Sequence, residues 1–184
     1  MRLFLTESKA ELYGNQIDLE YLYLSECDNI NEFTCGNEVI NDIIKNKLVE
    51  DTSTTSFAVI NKNNHDIIAI YALSCSGFVV QSANKFHIYP SVEIKYFVIN
   101  DQYQDIQYCE DRSFGCLSNI IFDKVIADIY EFTENYCGAD KIILYSVPSA
   151  YEFYNRAGFC DFEEYMLQSD DKFLDGCIPM YFIM

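Results

Sequence analysis

The sequence predicts an α+β fold built on a mixed sheet. Residues 92–100 and 141–147 are apolar segments of the kind that form buried strands, the first of them rich in β-branched and aromatic residues. Between them, apolar residues recur at intervals of three and four, namely Ile121, Val125, Ile129, Phe132 and Tyr136. This period predicts a long helix over residues 118–136. Because a strand–helix–strand unit closes with its strands side by side and parallel, we expect 92–100 and 141–147 to be parallel neighbours.

The other segments predict antiparallel strands and short helices around that unit. In chain order they are a strand at 18–24, a helix over 39–48, a hairpin of 57–60 and 67–73, a short helix at 150–154, and strands at 159–167 and 178–184. His65 falls at the hairpin tip, where we expect a solvated turn residue. Residues 78–90 show no clear pattern, and we expect Pro90 to mark the entry to the central strand. The sheet is therefore expected to be mostly antiparallel, with one parallel pair and flanking helices.

The length and the hydropathy pattern predict one soluble domain over residues 1–184. No apolar run reaches about 18 residues, so we expect no membrane span. The first residues become charged too soon to supply a signal peptide. We therefore expect a cytoplasmic protein.

The eight cysteines are expected to be reduced. They are scattered through apolar segments, and none forms a C-x-x-C pair. With only two histidines in the chain, a zinc site is not expected. We interpret the cysteines as small hydrophobic residues and predict no metal site.

The charge balance argues against nucleic acid as a partner. Twenty-nine acidic residues and twelve basic residues give a net charge of −17, which repels polyphosphate. Nucleic-acid binding depends on lysine and arginine to displace counterions from the backbone. A cationic partner or substrate is the better prediction, and the alternative is that the charge only keeps the protein in solution.

Two ordered motifs carry a resemblance to a known family. Residues 97–104, Phe-Val-Ile-Asn-Asp-Gln-Tyr-Gln, resemble the end of the fourth strand in the GNAT superfamily of N-acetyltransferases. Residues 150–159, Ala-Tyr-Glu-Phe-Tyr-Asn-Arg-Ala-Gly-Phe, resemble the A-x-x-F-Y-x-x-x-G-F motif of that family. The segment Phe33-Thr34-Cys35-Gly36 is similar to the branch that contains toxins of toxin–antitoxin pairs. The resemblance implies a GNAT fold whose fourth and fifth strands form the parallel pair.

The resemblance also implies acetyl-CoA as co-substrate. Backbone groups of Phe97, Val98 and Ile99 would contact its pantetheine, as an added strand would. Its pyrophosphate would rest on the loop before the long helix, with Ser118 and Asn119 at the mouth of that helix. Independently of the family, Ser118 can cap the free N–H groups at that helix end.

The loop before the long helix departs from the family pattern. Residues 105–116 contain one glycine, three acidic residues and the single arginine Arg112, where the family has a compact glycine-rich turn. Glycines let backbone N–H groups approach a phosphate closely. Either Arg112 and the helix N-terminus suffice to hold the cofactor, or cofactor binding has weakened.

Two residues are candidates for the chemistry. Tyr154 matches the family position of the general acid that protonates the leaving thiolate, and a phenol is protonated near neutrality. Glu93 matches the glutamate that deprotonates the amine through water, and burial would raise its pKa into a useful range. The structural alternatives are a core tyrosine and a glutamate paired with Lys95 on one strand face.

Two functions from different classes follow. The first is N-acetyl transfer from acetyl-CoA to a primary amine by direct attack in a ternary complex. The acceptor would be a polyamine, another small molecule, or a lysine or N-terminus of a protein. The second is a non-catalytic GNAT-like module that binds protein. No membrane is expected as a partner, and a homodimer is compatible with the sequence.

Overall fold

The computed structural model describes residues 8–12, 15–106, 116–171, 174 and 176–184. The chain divides into two compact units, each made of two stretches of sequence. The first unit combines Met1–Ala72 with Tyr96–Asp128, and the second combines Leu73–Lys95 with Ile129–Met184. The two longest strands each contribute residues to both units.

The first unit contains an antiparallel sheet covered by helical residues. Its strands are β1 (Ser8–Leu12), β2 (Asn15–Tyr23), β3 (Thr55–Asn61), the start of β4 (Ile67–Ser82) and the end of β5 (Lys85–Ile99). They lie in the order β1-β2-β3-β4-β5. The strand predicted at 18–24 is thus confirmed as β2, while β1 was not predicted.

The first helix, α1 (Glu38–Ile43), begins at a well-formed cap. The side-chain oxygen of Asn37 accepts hydrogen bonds from the N–H groups of Val39 and Ile40, at 3.0 and 3.2 Å. The helix continues as a π-helical turn over Ile44–Leu48. Its buried face carries Ile43, Ile44 and Leu48. The helix predicted over 39–48 is confirmed.

The predicted hairpin is confirmed as β3 and β4. His65 has a φ of +63° at its turn and is exposed. Its N–H donates to the carbonyl of Asn61 at 2.7 Å, and the Asn61 N–H donates to Asp66 at 2.9 Å. His65 is therefore a turn residue, as the sequence predicted.

In the second unit, the unassigned segment 78–90 is a second hairpin. β4 runs on to Ser82 and β5 begins at Lys85, with Ala83 at a φ of +52° between them. Every residue from 81 to 90 is exposed, so the sequence there shows no alternation between buried and exposed positions. The prediction that Pro90 marks the strand entry was wrong, because Pro90 lies inside β5.

The second unit also contains the parallel pair. β6 (Lys141–Ser146) pairs with β5 in parallel, from Ser91 opposite Lys141 to Ile94 opposite Leu144. The predicted parallel neighbours are thus confirmed. This pairing stops at Ile94, although β5 continues to Ile99.

The remaining elements of the second unit follow β6. α3 (Tyr151–Arg156) comes after a helical turn over Pro148–Ala150. β7 (Cys160–Asp161) and β8 (Ile178–Ile183) complete the strand order β4-β5-β6-β8-β7, with β8 antiparallel to both neighbours. The strand predicted at 159–167 is much shorter, because beyond Asp161 only Met166 forms a bridge, with Val80. The predicted α+β class, mostly antiparallel with one parallel pair, is confirmed.

The long helix, α2 (Leu117–Phe132), is amphipathic as predicted. Its buried residues include Ile121, Val125 and Ile129. It ends in a π-helical turn, Thr133–Cys137, and Gly138 follows at a φ of +65°. No helix among the described residues is long and apolar enough to cross a membrane.

The cysteines are less buried than the sequence suggested. Seven of them lie in the described part of the chain, and within that part none forms a disulfide. Cys75, Cys137 and Cys160 are exposed, and the other four are half-buried. Cys27 and Cys35 pack against the apolar core as small hydrophobic residues, as the sequence predicted, whereas the three exposed cysteines do not fit that prediction.

Candidate active site

Glu93 is a half-buried carboxylate on β5, in the second unit. It lies opposite Ile143 of the parallel strand β6. Burial raises the pKa of Glu93 above its ordinary value, a hydrogen bond from Ser76 and the charge of Lys95 lower it, and the charge of Asp171 raises it. The net shift is upward. A carboxyl group in this state accepts a proton more readily than an exposed one.

Tyr145 lies on the same face of the sheet as Glu93. It follows Ile143 by two residues, and side chains alternate between faces with a period of two. The backbone N–H of Ser169 donates to its phenolic oxygen at 3.1 Å. Burial raises the pKa of Tyr145, the hydrogen bond from Ser169 lowers it, and the Glu93 carboxylate raises it. Tyr145 and Glu93 are therefore electrostatically coupled.

Tyr154 is a buried phenol on α3, also in the second unit. Its side chain is 8% exposed. Its ring lies edge-on to Phe153, with centroids 5.1 Å apart, and to Phe159, with centroids 6.1 Å apart. Burial raises the pKa of Tyr154 well above that of an exposed tyrosine. The hydroxyl therefore stays protonated throughout the neutral range, and burial makes it a weaker acid than an exposed tyrosine.

The turn after α3 fixes the segment that carries Tyr154. The N–H of Phe159 donates to the carbonyl of Tyr154 at 3.1 Å. Gly158 has a φ of +92°, and a Cβ placed on it would lie 3.3 Å from the ring of Phe182. Glycine is thus favoured here by the backbone conformation, and an added Cβ would also be in tight contact with Phe182. The turn explains the glycine of the motif at 150–159, and the phenylalanine that follows it is buried.

In the first unit, the residues predicted to contact pantetheine lie at the end of β5. Val98 is buried in the apolar core, so only its backbone is available to a ligand. Phe97 packs its ring edge-on against Phe122 of α2, with centroids 4.9 Å apart. The carbonyl of Ile99 accepts a hydrogen bond from the side chain of Gln104 at 3.0 Å.

The residues that follow Ile99 hold the end of β5 in place. Asn100 is buried, and its side chain donates to the carbonyl of Ile67 at 2.9 Å. The hydroxyl of Tyr103 donates to Asp66 at 2.8 Å. Gln104 donates to the carbonyl of Cys35 at 3.2 Å in addition to Ile99. The motif at 97–104 thus ties β5 to the hairpin turn and to the start of α1.

The start of α2 differs from the prediction. The helix begins at Leu117, so Ser118 lies within its first turn rather than at the cap. The N–H of Leu117 donates to Ile106 at 2.8 Å, and the N–H of Asn119 donates to Cys116 at 2.9 Å. Those two amides are therefore already bonded. Arg112 lies outside the described residues.

The fold is similar to that of several solved bacterial toxins. A structure described as a bacterial toxin is 17% identical, with a TM-score of 0.66 over 97% of this chain and 90% of that chain. A variant of the toxin AtaT, bound to the C-terminus of the antitoxin AtaR and acetyl-CoA, is 16% identical, with a TM-score of 0.64 over 90% and 92%. AtaT complexed with acetyl-methionyl-tRNAfMet is 14% identical, with a TM-score of 0.64 over 90% and 95%.

The chain has a GNAT-like fold. Its similarity to toxin-type members, expected from residues 33–36, is confirmed at the level of the fold. No family model matches the sequence, and no curated protein matches it significantly. The relationship is therefore visible in the strand order and not in overall sequence identity.

Within this GNAT-like fold, the predicted site residues fall into two groups. Glu93 and Tyr154, the candidates for acid–base chemistry, both belong to the second unit. Residues 97–99 and 118–119, the candidates for cofactor contacts, all belong to the first unit. Across the described ranges, no group of three or more His, Cys, Asp and Glu side chains is arranged to hold a metal ion.

Two features around Glu93 were not predicted from the sequence. Tyr145 could have been found, because the predicted parallel pairing places every second residue of β6 on one face. The approach of Ser169 and Asp171 could not, because they lie in a polar loop whose path has no sequence signal.

Proposed function

We propose that the protein is an N-acetyltransferase that transfers the acetyl group of acetyl-CoA to a primary amine. The observation that carries this proposal is Tyr154, a buried phenol at the position of the family's general acid. The raised pKa of Glu93 in the same unit supports it. Further support comes from the GNAT-like fold, since AtaT of the same fold has been solved with acetyl-CoA.

The reaction is a direct attack in a ternary complex. Glu93 accepts a proton from the ammonium form of the acceptor, through a water molecule. The amine nitrogen then attacks the thioester carbon, forming the C–N bond as the C–S bond breaks, and the nitrogen releases its second proton to water. Tyr154 donates its hydroxyl proton to the departing thiolate. The products are the N-acetylated amine and CoA, and proton exchange with solvent restores both side chains.

Acetyl-CoA binding is assigned to the first unit. The backbone of Phe97, Val98 and Ile99 would pair with the pantetheine, and the first turn of α2 with Ser118 and Asn119 would face the pyrophosphate. Arg112 would add the positive charge that the acidic loop otherwise lacks. Because Gln104 already occupies the Ile99 carbonyl, cofactor pairing at that residue would use its N–H.

The acceptor that we propose is a cationic amine. The net charge of −17 attracts cations and opposes polyphosphate. Asp171 is close enough to Glu93 to raise its pKa, so a second carboxylate lies near the proposed base. AtaT has been solved with acetyl-methionyl-tRNAfMet. The net charge of this chain would repel the phosphates of a tRNA, whereas it would attract a small cationic amine.

The test is transfer of a labelled acetyl group to three acceptor classes. Polyamine, lysine-rich peptide and methionyl-tRNA are each incubated with labelled acetyl-CoA and either wild-type protein or Tyr154→Phe. We expect label on the polyamine or the peptide, and a large loss of rate in the variant. Label on tRNA alone would contradict a small or peptide amine as acceptor, but it would still support acetyl transfer from acetyl-CoA. Equal rates in wild type and variant would remove Tyr154 from the mechanism.

A further inference from the structure

The β4–β5 hairpin carries a stripe of apolar side chains that runs from buried to exposed positions. Alternate residues of β5 share one face of the sheet, and Phe86, Ile88, Val92 and Ile94 are on it. Val92 and Ile94 are buried at 6% and 3% exposure, whereas Phe86 and Ile88 are 61% and 69% exposed. Two large apolar side chains therefore extend the buried stripe into solvent.

The backbone of the same segment is an open sheet edge. β6 pairs with β5 only from Ser91 onward, and no other described strand lies on the outer side of residues 85–90. The opposite edge of the hairpin is occupied, since Gln81 donates to the carbonyl of Tyr165 and Leu167 donates to that of Val79, both at 2.9 Å. An unpaired edge with exposed apolar residues is a template for pairing with another chain.

Pro90 indicates which backbone groups face outward. Proline has no N–H, and inside sheets it stands where its nitrogen faces an unpaired side. Because strand backbones alternate with a period of two, the N–H and C=O groups of Ile88 and Phe86 face that same open side. Both residues also carry exposed apolar side chains.

Residues 67–92 of the hairpin contain no acidic side chain, which favours a second copy of this acidic chain as its partner. In a chain with 29 acidic residues, none occurs between Asp66 and Glu93. Two copies of net charge −17 repel each other where their carboxylates come close together. This repulsion is weakest where the two hairpins face each other, because residues 67–92 carry no carboxylate in either copy. The exposed part of the hairpin is thus a surface on which a second copy can dock without opposing carboxylates.

We propose that residues 85–90 form the interface of a twofold homodimer, with the two β5 edges paired antiparallel. The register that uses the outward groups places Phe86 opposite the partner's Ile88, with His87 opposite the partner's His87 at the axis. Lys85 then lies opposite the partner's Tyr89 rather than the partner's Lys85. Phe86 and Ile88 of both copies form one continuous apolar face, as cross-strand pairs do. The proposal goes beyond acetyl transfer and does not depend on it.

Sedimentation of the full chain tests the dimer. We expect a dimer for wild type at about 100 μM, and monomers for the double variant Phe86→Thr/Ile88→Thr, since threonine retains strand propensity. Val39→Thr removes an equally exposed apolar residue from α1 and should leave the dimer intact. A monomeric wild type, or a double variant that still dimerises, would overturn the proposal.

A cysteine at the axis tests the register independently of those variants. Opposed residues of a non-hydrogen-bonded pair lie about 4.5 Å apart at Cα, within the range of a disulfide. His87→Cys should therefore cross-link to its partner under mild oxidation, several-fold more than wild type. Ser82→Cys places a thiol on the other strand of the hairpin and should not exceed the wild-type level. Equal cross-linking in the two variants would contradict the proposed pairing.

Discussion

Glu93 and Tyr145 project from the same face of two adjacent parallel strands. Glu93 lies opposite Ile143, and Tyr145 follows Ile143 by two residues. The Glu93 carboxylate contributes to the raised pKa of Tyr145, and the N–H of Ser169 holds the phenol by a 3.1 Å hydrogen bond. This pair links the proposed base to the loop that carries Asp171.

The variant Tyr145→Phe should shift the pH dependence of the rate. Removing the hydroxyl takes a polar group away from the carboxylate, so desolvation raises the pKa of Glu93 further. The acidic limb of the kcat/KM profile should then move to higher pH, while the rate well above that limb changes little. Tyr165→Phe, which removes an exposed hydroxyl, is the control. An identical profile in Tyr145→Phe and wild type would show that the two residues are not coupled.

Glu93→Gln should stabilise the protein at high pH. Folding raises the pKa of Glu93, so the folded state binds this proton more tightly than the unfolded chain. The stabilisation that the bound proton gives the folded state is fully present below the unfolded pKa of about 4.3, and it is lost as the pH rises through the folded pKa. At pH 8 the wild type carries the cost of a half-buried charge, which glutamine lacks.

Melting temperatures at pH 8 and pH 4 check this expectation. Glu93→Gln should melt above wild type at pH 8, and the difference should shrink at pH 4. Glu50→Gln changes an exposed carboxylate by the same substitution and should show no such trend. Glu93→Gln should also lower the acetylation rate most where the acceptor amine is protonated. A lower melting temperature at pH 8 would indicate that Glu93 stabilises the fold through its charge.

Tyr154→Phe should separate catalysis from binding. Phenylalanine keeps the ring packing against Phe153 and Phe159 and deletes only the proton donor. A positioned acid contributes about a hundred- to ten-thousand-fold, so kcat should fall by that order while acetyl-CoA affinity is retained. Steady-state rates and a binding titration on the same preparation measure both quantities. Undiminished turnover would assign Tyr154 to the core alone.

The sequence predicted the parts of the fold in which the pattern of apolar residues matches the pattern of buried positions. α1 and α2 each have one buried face, so their apolar periods are readable, while β3, β6 and the start of β4 are buried along continuous apolar runs. The β4–β5 hairpin was missed because residues 81–90 have no buried face. The length of β7 was overestimated, because a local apolar run does not show whether a neighbouring strand is available to pair with it.

The site was predictable where one residue type is required. Gly158 lies in a motif whose turn leaves little choice at that position. The surroundings of Glu93 depend on long-range contacts with Ser76 and Asp171, which no local pattern encodes. Ser118 was misplaced by one residue, because helix starts are the least certain feature of a periodic pattern.

Gly158→Ala should destabilise the second unit by about 1–3 kcal/mol. Alanine is strained at a φ of +92°, and its Cβ would lie 3.3 Å from the ring of Phe182. Gly138→Ala is the matched control, because Gly138 also has a positive φ, +65°, with no atom within 4 Å of an added Cβ. Denaturant unfolding of both variants isolates the contribution of the contact. A Gly158→Ala loss no larger than that of Gly138→Ala would show that Phe182 moves freely.

Calorimetric titration with acetyl-CoA tests the central claim most directly. If residues 97–99 and the start of α2 bind the cofactor, acetyl-CoA should bind one site per chain. At about a hundred times its dissociation constant, it should stabilise the fold by about 2.7 kcal/mol. Arg112→Ala should weaken this binding. Absence of binding heat and of any melting shift at about 1 mM acetyl-CoA would contradict the acetyltransferase assignment and favour a GNAT-like protein-binding module.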